Sequence, residues 1–459
     1  MKKELLTVGG DPVKINVVDS IMGSGKTQAA INYINSTDVR IMYVTPYLTE
    51  VERIINACPD KRFKQPVNYN GTASKMINLK HLLDRGENIV TTHALFHHFD
   101  EETIELCYIQ GYVLIMDEVT DVIDMYPMGK EDTKIMLEKF VEIQENGILK
   151  WIESDYNDPK FMEEKRLCEL ECLAMYGKEL IMWLFPVKIF KAFHESYILT
   201  YMFSGQMQKY YYDFNGLDYQ YLYVQGDAMD NYHFVTEPIQ HENKYNYKEL
   251  IHILKDDKLN LIGKMPTALS KAWYERHVDS GVMKTLKDNT RNYFTNKKIV
   301  LKDGKLISSW SKNNIWTTFK EYKHLVAGKG YSKGFLPLNT RATNDYQDCS
   351  AVAYLINKYF NPYIKHFFTM YGVEVDEDAY AVSEMLQFIW RSAIRQGKPI
   401  SVYIPSSRMR TLLEQWIETV SGEDYDEVVG VVAATIDAAV IDIVDVNASE
   451  LTSCKGKTH

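Results

Sequence analysis

Short apolar runs alternate with helical patterns along the first 120 residues. Runs of strand-like length occur at residues 14–19, 39–45, 88–92 and 112–116. Amphipathic stretches of helical length lie between them, for example at 48–57 and 72–83. Strands that alternate with helices are typical of βαβ units, in which parallel strands share one sheet. This part of the chain is therefore predicted to be an α/β domain.

The pattern changes after residue 128. Residues 128–195 are charged and mostly helical in period, and residues 196–203 then form an apolar, β-rich run. We interpret residues 128–195 as a helical insertion, because their apolar positions repeat with a helical spacing. Residues 196–203 are predicted to return the chain to the sheet.

Alternation resumes after a polar stretch at residues 241–248, which we interpret as a linker. Strands are predicted at 259–263, 314–318 and 400–404, and helices near 270–278, from about 348, and at 379–396. The predicted fold class is α/β, with two tandem parallel-sheet domains at residues 1–240 and 249–459. The length of 459 residues supports two domains, because a single hydrophobic core stops growing at a smaller size.

Composition and charge narrow the function classes. The chain is 46% hydrophobic, and none of its apolar runs reaches the roughly 20 residues that a membrane-spanning helix needs. A cytoplasmic protein without a membrane partner is expected. The net charge of −10 argues against a protein that coats duplex DNA by charge alone, although a local groove could still hold a strand. The six cysteines form no CxxC pair and are expected to be reduced thiols.

The strongest chemical signal is the loop Ser20-Ile21-Met22-Gly23-Ser24-Gly25-Lys26-Thr27. It follows a predicted strand and precedes a predicted helix, which is the context of a phosphate-binding P-loop. The glycines let backbone N–H groups curl around phosphates, and the positive end of the helix favours the anion. Lys26 is predicted to reach the β- and γ-phosphates, and the Thr27 hydroxyl to bind Mg²⁺. Ser20 occupies a position where this motif usually has glycine.

Two adjacent carboxylates, Asp117 and Glu118, end the apolar run at 112–116. This arrangement suits phosphate chemistry: Asp117 is predicted to hold Mg²⁺, and Glu118 to position the attacking water. The predicted cofactors are thus ATP and Mg²⁺. The nucleotide-binding residues are predicted to be Gly23, Ser24, Gly25, Lys26, Thr27 and Asp117.

A third signal lies far downstream, where Gln387, Arg391 and Arg395 are spaced four residues apart. On one helix these three side chains share a face. Two arginines on such a face could reach across a cleft to γ-phosphate charge, as an arginine finger does. We therefore predict that Gln387, Arg391 and Arg395 act in catalysis together with Glu118.

The order of these motifs resembles superfamily 2 helicases. Thr45-Pro46 and Thr92-His93 resemble strand-contacting motifs of the first domain, and Leu199-Thr200-Tyr201 occupies the place of the coupling motif. Segments at 339–344, 390–395 and 403–410 are similar to phage-encoded replication helicases of the origin-binding type. The resemblance implies two RecA-like domains with ATP bound between them. It also implies nucleic-acid contacts at Thr45, Pro46, Thr92, His93, Arg341 and Asn344.

Single-stranded or branched DNA, and replication proteins, are the partners that this resemblance implies. Thr200-Tyr201 departs from the family's Ser-Ala-Thr, and the insertion is longer than usual. Two alternatives stay open: a P-loop ATPase that acts on a protein partner or packages DNA without unwinding, and a nucleotide switch. A base-recognition motif that would select ATP over GTP is not evident before the loop.

Overall fold

The computed structural model describes residues 7–8, 11–12, 14–68, 74–177, 180–227, 231–238, 245–296, 298–300, 306–308, 314–338 and 345–421. The strands are β1 Thr7–Val8, β2 Asp11–Pro12, β3 Lys14–Asp19, β4 Ile41–Thr45, β5 Ile89–Thr92, β6 Val113–Asp117, β7 Ile123–Met125, β8 Val141–Ile143, β9 Leu149–Trp151, β10 Leu173–Tyr176, β11 Leu180–Leu184, β12 Glu195–Thr200, β13 Tyr219–Gly226, β14 Tyr232–Val235, β15 Ile251–Ile253, β16 Lys298–Val300, β17 Leu306–Ser308, β18 Asn314–Thr317, β19 Ala351–Tyr354 and β20 Ile400–Tyr403.

The helices are α1 Lys26–Ser36, α2 Leu48–Ala57, α3 Lys75–Asp84, α4 His93–Phe96, α5 Glu101–Ile109, α6 Lys130–Lys139, α7 Met162–Glu169, α8 Val187–Lys191, α9 Met207–Asn215, α10 Tyr247–Leu250, α11 Asp257–Asn260, α12 Lys271–His277, α13 Gly281–Asn296, α14 Lys323–Val326, α15 Pro362–Met370, α16 Glu377–Ile389 and α17 Ser407–Ser421. Short 3₁₀ helices span Pro59–Lys61, Pro159–Phe161, Phe203–Gly205, Leu261–Gly263, Lys320–Tyr322, Ser332–Gly334 and Ala393–Gln396. None of the described helices is long and apolar enough to cross a membrane.

A seven-stranded sheet organises the first half of the chain, in the order β14-β13-β3-β12-β6-β4-β5. Its strands are parallel except for the antiparallel pair β13–β14. The four strands predicted before residue 120 are confirmed. The predicted return to the sheet is also confirmed, since β12 lies between β3 and β6. The carboxyl ends of these strands therefore meet at one edge.

Each central strand is buried on both faces, as parallel sheets require. In β3, Ile15 and Val17 join one hydrophobic core, and Val18 joins the core on the opposite face. The alternation follows from the two-residue period of a strand. The same division places Met42 and Tyr43 of β4 in different cores. Helices cover both faces and shield the sheet from water.

The insertion is not purely helical, which corrects the prediction for residues 128–195. Besides α6, α7 and α8 it contains the antiparallel hairpin β8–β9 and the strands β10 and β11, which form a three-stranded antiparallel sheet with β7 just before the insertion. These strands have three to five residues, and β11 pairs with β7 across more than 50 positions of the chain. Such short strands form only because they pair with distant residues, so the local sequence gives little sign of them. The helical periodicity of the remaining residues therefore dominates the pattern.

The second half contains a four-stranded parallel sheet in the order β15-β20-β19-β18. The strands predicted at 314–318 and 400–404 and the helix near 270–278 are confirmed. The strand predicted at 259–263 is instead helical, and the helix predicted from about 348 is strand β19. The first half of the predicted linker, residues 241–244, lies outside the described part of the chain, and the last two residues of the linker belong to α10.

Helix α16 ends at Ile389, whereas a helix was predicted through residue 396. The backbone turns at Ser392, which is extended, and its hydroxyl donates to the Ile389 carbonyl at 2.6 Å. In a longer helix this carbonyl group would accept a backbone N–H, and here the Ser392 hydroxyl takes the place of that donor. Trp390 packs against Tyr247 and Trp416, so tertiary contact favours the break.

The two halves of the chain share a hydrophobic core. Phe367 and Phe368 of α15 are fully buried in the same core as β3, β4 and β6 of the first half. Their partners include α9, where the ring centroids of Phe214 and Phe367 are 5.1 Å apart. The tyrosines of α9, Tyr210, Tyr211 and Tyr212, are buried there as well. These three aromatic side chains therefore serve the core.

We expect Phe367→Ala to lower the free energy of unfolding by about 3–5 kcal/mol, because it removes a fully buried ring from the shared core. Urea unfolding followed by circular dichroism measures the change. Ile109→Ala is the matched control, since Ile109 is 66% exposed on α5. Equal stability of the two variants would contradict a shared core.

Candidate functional site

The loop between β3 and α1 has the shape of a phosphate cradle. Gly23 and Gly25 adopt φ of 88° and 96°, in the left-handed region that favours glycine. The Gly25 carbonyl accepts the Ala29 N–H at 2.9 Å, so the helix begins directly at the loop. The Ser24 hydroxyl is buried and has no hydrogen-bond partner among the described residues. Such a group is suited to a phosphate oxygen.

Lys26 directs its ammonium group into this loop. The Nζ atom donates to the Ile21 carbonyl at 3.0 Å and also to the Ser20 carbonyl. The side chain therefore lies over the loop rather than out in solvent. The Ser20 hydroxyl accepts the Val224 N–H at 3.0 Å and ties the loop to β13.

Asp117 and Glu118 lie at the end of β6, on the same edge of the sheet. Glu118 has φ of 64°, an uncommon value for a residue with a side chain, and its N–H donates to the Leu199 carbonyl at 3.0 Å. Burial, followed by the charges of Glu118 and Glu50, raises the pKa of Asp117 to about 7. The hydroxyl of Tyr43 donates to Asp117 Oδ2 at 3.3 Å. A divalent cation here would favour the ionised carboxylate.

The end of α16 forms the facing wall. Gln387 lies in its last turn, Arg391 follows the helix, and Arg395 is on the 3₁₀ helix Ala393–Gln396. Arg391 is 7% exposed, and its Nη1 donates to the Leu338 carbonyl at 3.3 Å. The predicted single helical face is therefore wrong. The three side chains nevertheless border the same cavity, because the chain turns back after Ile389.

One cavity of about 310 Å³ lies between the two walls. It joins the loop, the β6 carboxylates and the α16 end. Its lining residues are Met22, Gly23, Gly25, Lys26, Thr27, Gln28, Pro46, Glu50, Arg53, Asp117, Glu118, Leu199, Thr200, Tyr201, Gln387, Trp390, Arg391 and Arg395.

The donor set of this cavity fits Mg²⁺ held together with a phosphate chain. The Thr27 hydroxyl and the Asp117 carboxylate are hard oxygen donors, which Mg²⁺ prefers. Within the described residues, no group of three His, Cys, Asp or Glu side chains could hold a metal ion by itself. In nucleotide sites Mg²⁺ is usually coordinated by one or two protein ligands, and phosphate oxygens and water complete its coordination shell.

Comparison with known proteins places the chain in a family. A family model described as the YonV C-terminal Rossmann-like domain matches residues 245–417. The SPbeta prophage-derived uncharacterized protein YonV of Bacillus subtilis (strain 168) is 39% identical over 420 residues, covering 88% of this chain and 99% of that protein. This chain belongs to the YonV family. The Rossmann-like description agrees with the parallel sheet of the second half.

Three solved structures are similar to this YonV family member at lower levels. "XPD_APO" has a TM-score of 0.45 at 11% identity and covers 87% of this chain and 95% of its own. "XPD_Helicase" has a TM-score of 0.43 at 9% identity, with the same coverage. "Structure of S. tokodaii Xpd4" has a TM-score of 0.41 at 8% identity and covers 88% of this chain and 94% of its own.

The residues predicted to contact nucleic acid are only partly brought together in this YonV family member. Thr45 is fully buried, Pro46 borders the cavity, and Thr92 is half-buried at the end of β5. His93 is 6% exposed, and its Nε2 lies 2.9 Å from the Asp117 carbonyl oxygen.

His93 and the nearby His97 lie in packed positions, whereas the neighbouring His98 is exposed. His93 is buried, and His97 Nε2 lies 2.6 Å from the Thr120 hydroxyl. Both support the segment that follows β6. Arg341 and Asn344, also predicted to contact a strand, lie outside the described residues.

Sequence reasoning missed two charged residues of α2. Glu50 and Arg53 border the cavity and are paired at 3.0 Å. They follow the carboxyl end of β4, where ligand-binding residues of parallel sheets gather. That position is the signal that could have identified them.

The segment from Thr200 to Gln206 connects the cavity wall to the second half. Asp19 Oδ1 accepts the Met202 N–H at 2.7 Å, and its Oδ2 accepts the Phe203 N–H at 3.0 Å. Tyr201 borders the cavity, and its hydroxyl accepts the Trp416 indole N–H at 3.0 Å. Gly205 is buried against α16, where a Cβ atom would lie 2.4 Å from the Ala379 carbonyl oxygen.

We expect Gly205→Ala to loosen α16, because the added methyl group forces two backbones apart. Amide hydrogen exchange, read by mass spectrometry, should be at least tenfold faster in α16 than in the unmodified protein. Gly281→Ala is the matched control, since a Cβ at Gly281 meets no atom within 4 Å. Unchanged protection of α16 in Gly205→Ala would show that the close contact is not needed.

Proposed function

We propose that this protein is a Mg²⁺-dependent ATP hydrolase that translocates along nucleic acid, with single-stranded or branched DNA as the track. The observation that carries the proposal is that one cavity joins phosphate-handling groups from both halves of the chain. Groups of the first half are Lys26, Thr27, Asp117 and Glu118, and those of the second half are Gln387, Arg391 and Arg395.

The proposed reaction is hydrolysis of the terminal phosphoanhydride. The Glu118 carboxylate orients a water molecule and accepts its proton as the water oxygen bonds to the γ-phosphorus. The bond from that phosphorus to the bridging oxygen breaks, which gives ADP and phosphate. Lys26, Arg391 and Arg395 stabilise the negative charge on the phosphoryl oxygens during this transfer.

Thr27 and Asp117 are the proposed Mg²⁺ ligands. When bound, the ion neutralises charge on the β- and γ-phosphates. The buried hydroxyl of Ser24 and the backbone N–H groups of the loop are proposed to bind phosphate oxygens. Gly23 and Gly25 permit this close approach because they carry no Cβ.

Coupling to movement is proposed to pass through the shared cavity. Binding of ATP draws the α16 end toward the loop, and product release lets it withdraw, so that the two halves step along a strand. Tyr201 and Gly205 lie on this route, since they contact Trp416 and α16. Pro46 and Thr92 stay proposed strand contacts, as do Arg341 and Asn344.

The prophage origin of the YonV relative supports a role in phage DNA replication or recombination in the host cytoplasm. Replication proteins are proposed as partners on the same ground. The order of the motifs resembles that of superfamily 2 helicases. This resemblance supports a translocase over a P-loop ATPase that does not move along nucleic acid.

A second candidate is an ATPase that remodels a protein partner or packages DNA without unwinding it. The shared core around Phe367 and Phe368 favours this candidate, because it limits how far the two halves can separate. The two functions differ in what stimulates hydrolysis.

Steady-state ATP hydrolysis distinguishes them. We expect turnover to rise at least tenfold with one nucleic acid among single-stranded DNA, duplex DNA, branched DNA and RNA. Lys26→Ala should abolish turnover with every track, because it removes the ammonium group from the loop. Lys160→Ala is the control, since this exposed lysine lies in the insertion and pairs with Asp132. If the rate of ATP hydrolysis is the same with and without each nucleic acid, the translocase proposal is refuted and the second candidate is favoured.

Arg391→Ala tests the contribution of the second half. We expect kcat to fall by about 10³-fold or more, as loss of an arginine finger does, while the Kd of a non-hydrolysable ATP analogue stays within about threefold. Arg276→Ala serves as the control, because Arg276 is exposed at the end of α12 and outside the cavity. Normal turnover in Arg391→Ala would remove the arginine from the proposed mechanism.

A further inference from the structure

The ring of Tyr232 lies directly against the phosphate loop. A Cβ atom on Gly25 would lie 2.4 Å from the Tyr232 Cδ1 atom, and one on Gly226 would lie 2.7 Å from its Cε1 atom. Two residues without side chains therefore make room for one aromatic ring. The ring is only partly buried, so it stays accessible beside the loop.

Hydrogen bonds fix the backbone that carries this ring. Asn32 of α1 donates from Nδ2 to the Tyr232 carbonyl at 2.9 Å and to Asn231 Oδ1 at 3.2 Å. Strand β14 thereby lies along the helix whose first turn follows the loop. The position of Tyr232 relative to Gly25 is thus held by both the helix and the sheet.

The sheet order tells which end of a bound nucleotide faces Tyr232. Asp117 is on β6, separated from β3 by β12 on one side, whereas β13 and β14 lie on the other side of β3. The carboxylates and arginines mark the γ-phosphate end of the proposed site. The α-phosphate, ribose and base must then extend away from β6, toward the side of the loop that carries Tyr232.

We propose that Tyr232 stacks against the base of a bound purine nucleoside triphosphate. This inference rests on the proposed function, and it assigns base recognition to a strand that follows the helicase-like motifs of the first half. Stacking uses the π-face that every base has, so ATP and GTP both benefit from it. The contact supplies binding energy that the phosphate loop alone does not.

The test compares nucleotides with a probe that has phosphates but no base. Isothermal titration calorimetry with Mg²⁺ measures Kd for AMP-PNP, GMP-PNP and inorganic tripolyphosphate. Tyr232→Leu keeps an apolar side chain against Gly25 and removes the π-face, and Tyr232→Phe keeps the π-face. We expect Tyr232→Leu to weaken both nucleotides about tenfold and leave tripolyphosphate unchanged. Tyr232→Phe should bind all three probes within about twofold of the unmodified protein.

The remaining outcomes overturn the inference in distinguishable ways. Unchanged nucleotide affinity in Tyr232→Leu removes the stacking contact, and equal weakening of tripolyphosphate shows that the ring only supports the loop. If the unmodified protein binds tripolyphosphate as tightly as AMP-PNP, the base contributes nothing, while the phosphate site stands. Failure to bind any probe refutes the proposed function together with the inference.

A tryptophan at this position provides a second, fluorescence-based test in case Tyr232→Leu fails to fold. Beyond the change seen in the unmodified protein, whose Trp390 borders the cavity, AMP-PNP should quench indole fluorescence in Tyr232→Trp by direct stacking, and tripolyphosphate should not. Quenching by both probes, or by neither, contradicts the stacking contact.

Discussion

The candidate site depends on the two hydrogen bonds that Asp19 accepts from Met202 and Phe203. They join the end of the phosphate-loop strand to the segment that follows β12, which in turn lies against α16. Burial raises the pKa of Asp19, while the two N–H groups and the charge of Lys26 oppose that rise. Because a buried carboxylate needs such partners, the loop and the following segment cannot separate without leaving it unsatisfied. One short segment thus connects the two walls of the cavity.

Five strands of the first sheet, β3, β4, β5, β6 and β12, could be predicted because each is a short, mostly apolar run, whereas β13 and β14 were not predicted. The β3 run and the β6 run are examples, since parallel sheets bury both faces. The strands of the insertion could not be predicted in this way. Strand β7 has three residues and pairs with β11 far along the chain, so its existence depends on tertiary contact. The same dependence explains why β19 was predicted as helix.

Local spacing was enough to predict that the loop before α1 and the pair Asp117 and Glu118 belong to one site, and all of them border the same cavity. The positions of Arg391 and Arg395 needed the fold. Their i,i+4 spacing predicted a common helical face, yet they border one cavity because the helix stops and the chain turns back. Sequence motifs could not identify Tyr232. Its ring lies against Gly25 only because of the order of the strands and because Gly25 and Gly226 carry no side chain.

The anchoring of α16 restricts the motion that the proposed cycle can use. Its first turn packs on Gly205, and the preceding Asp376 exchanges backbone hydrogen bonds with the Tyr210 hydroxyl. Its far end leads to Arg391. With 13 residues the helix is roughly 20 Å long, so a rotation of roughly 15° about the anchored end moves the arginine end by about 5 Å. That displacement is large enough to make or break contact with a γ-phosphate. It carries the second-half core with α16, because Leu386, Phe388 and Ile389 are buried in that core. Rotation about this anchor is therefore a motion that can close the cavity while the two halves stay joined through their shared core.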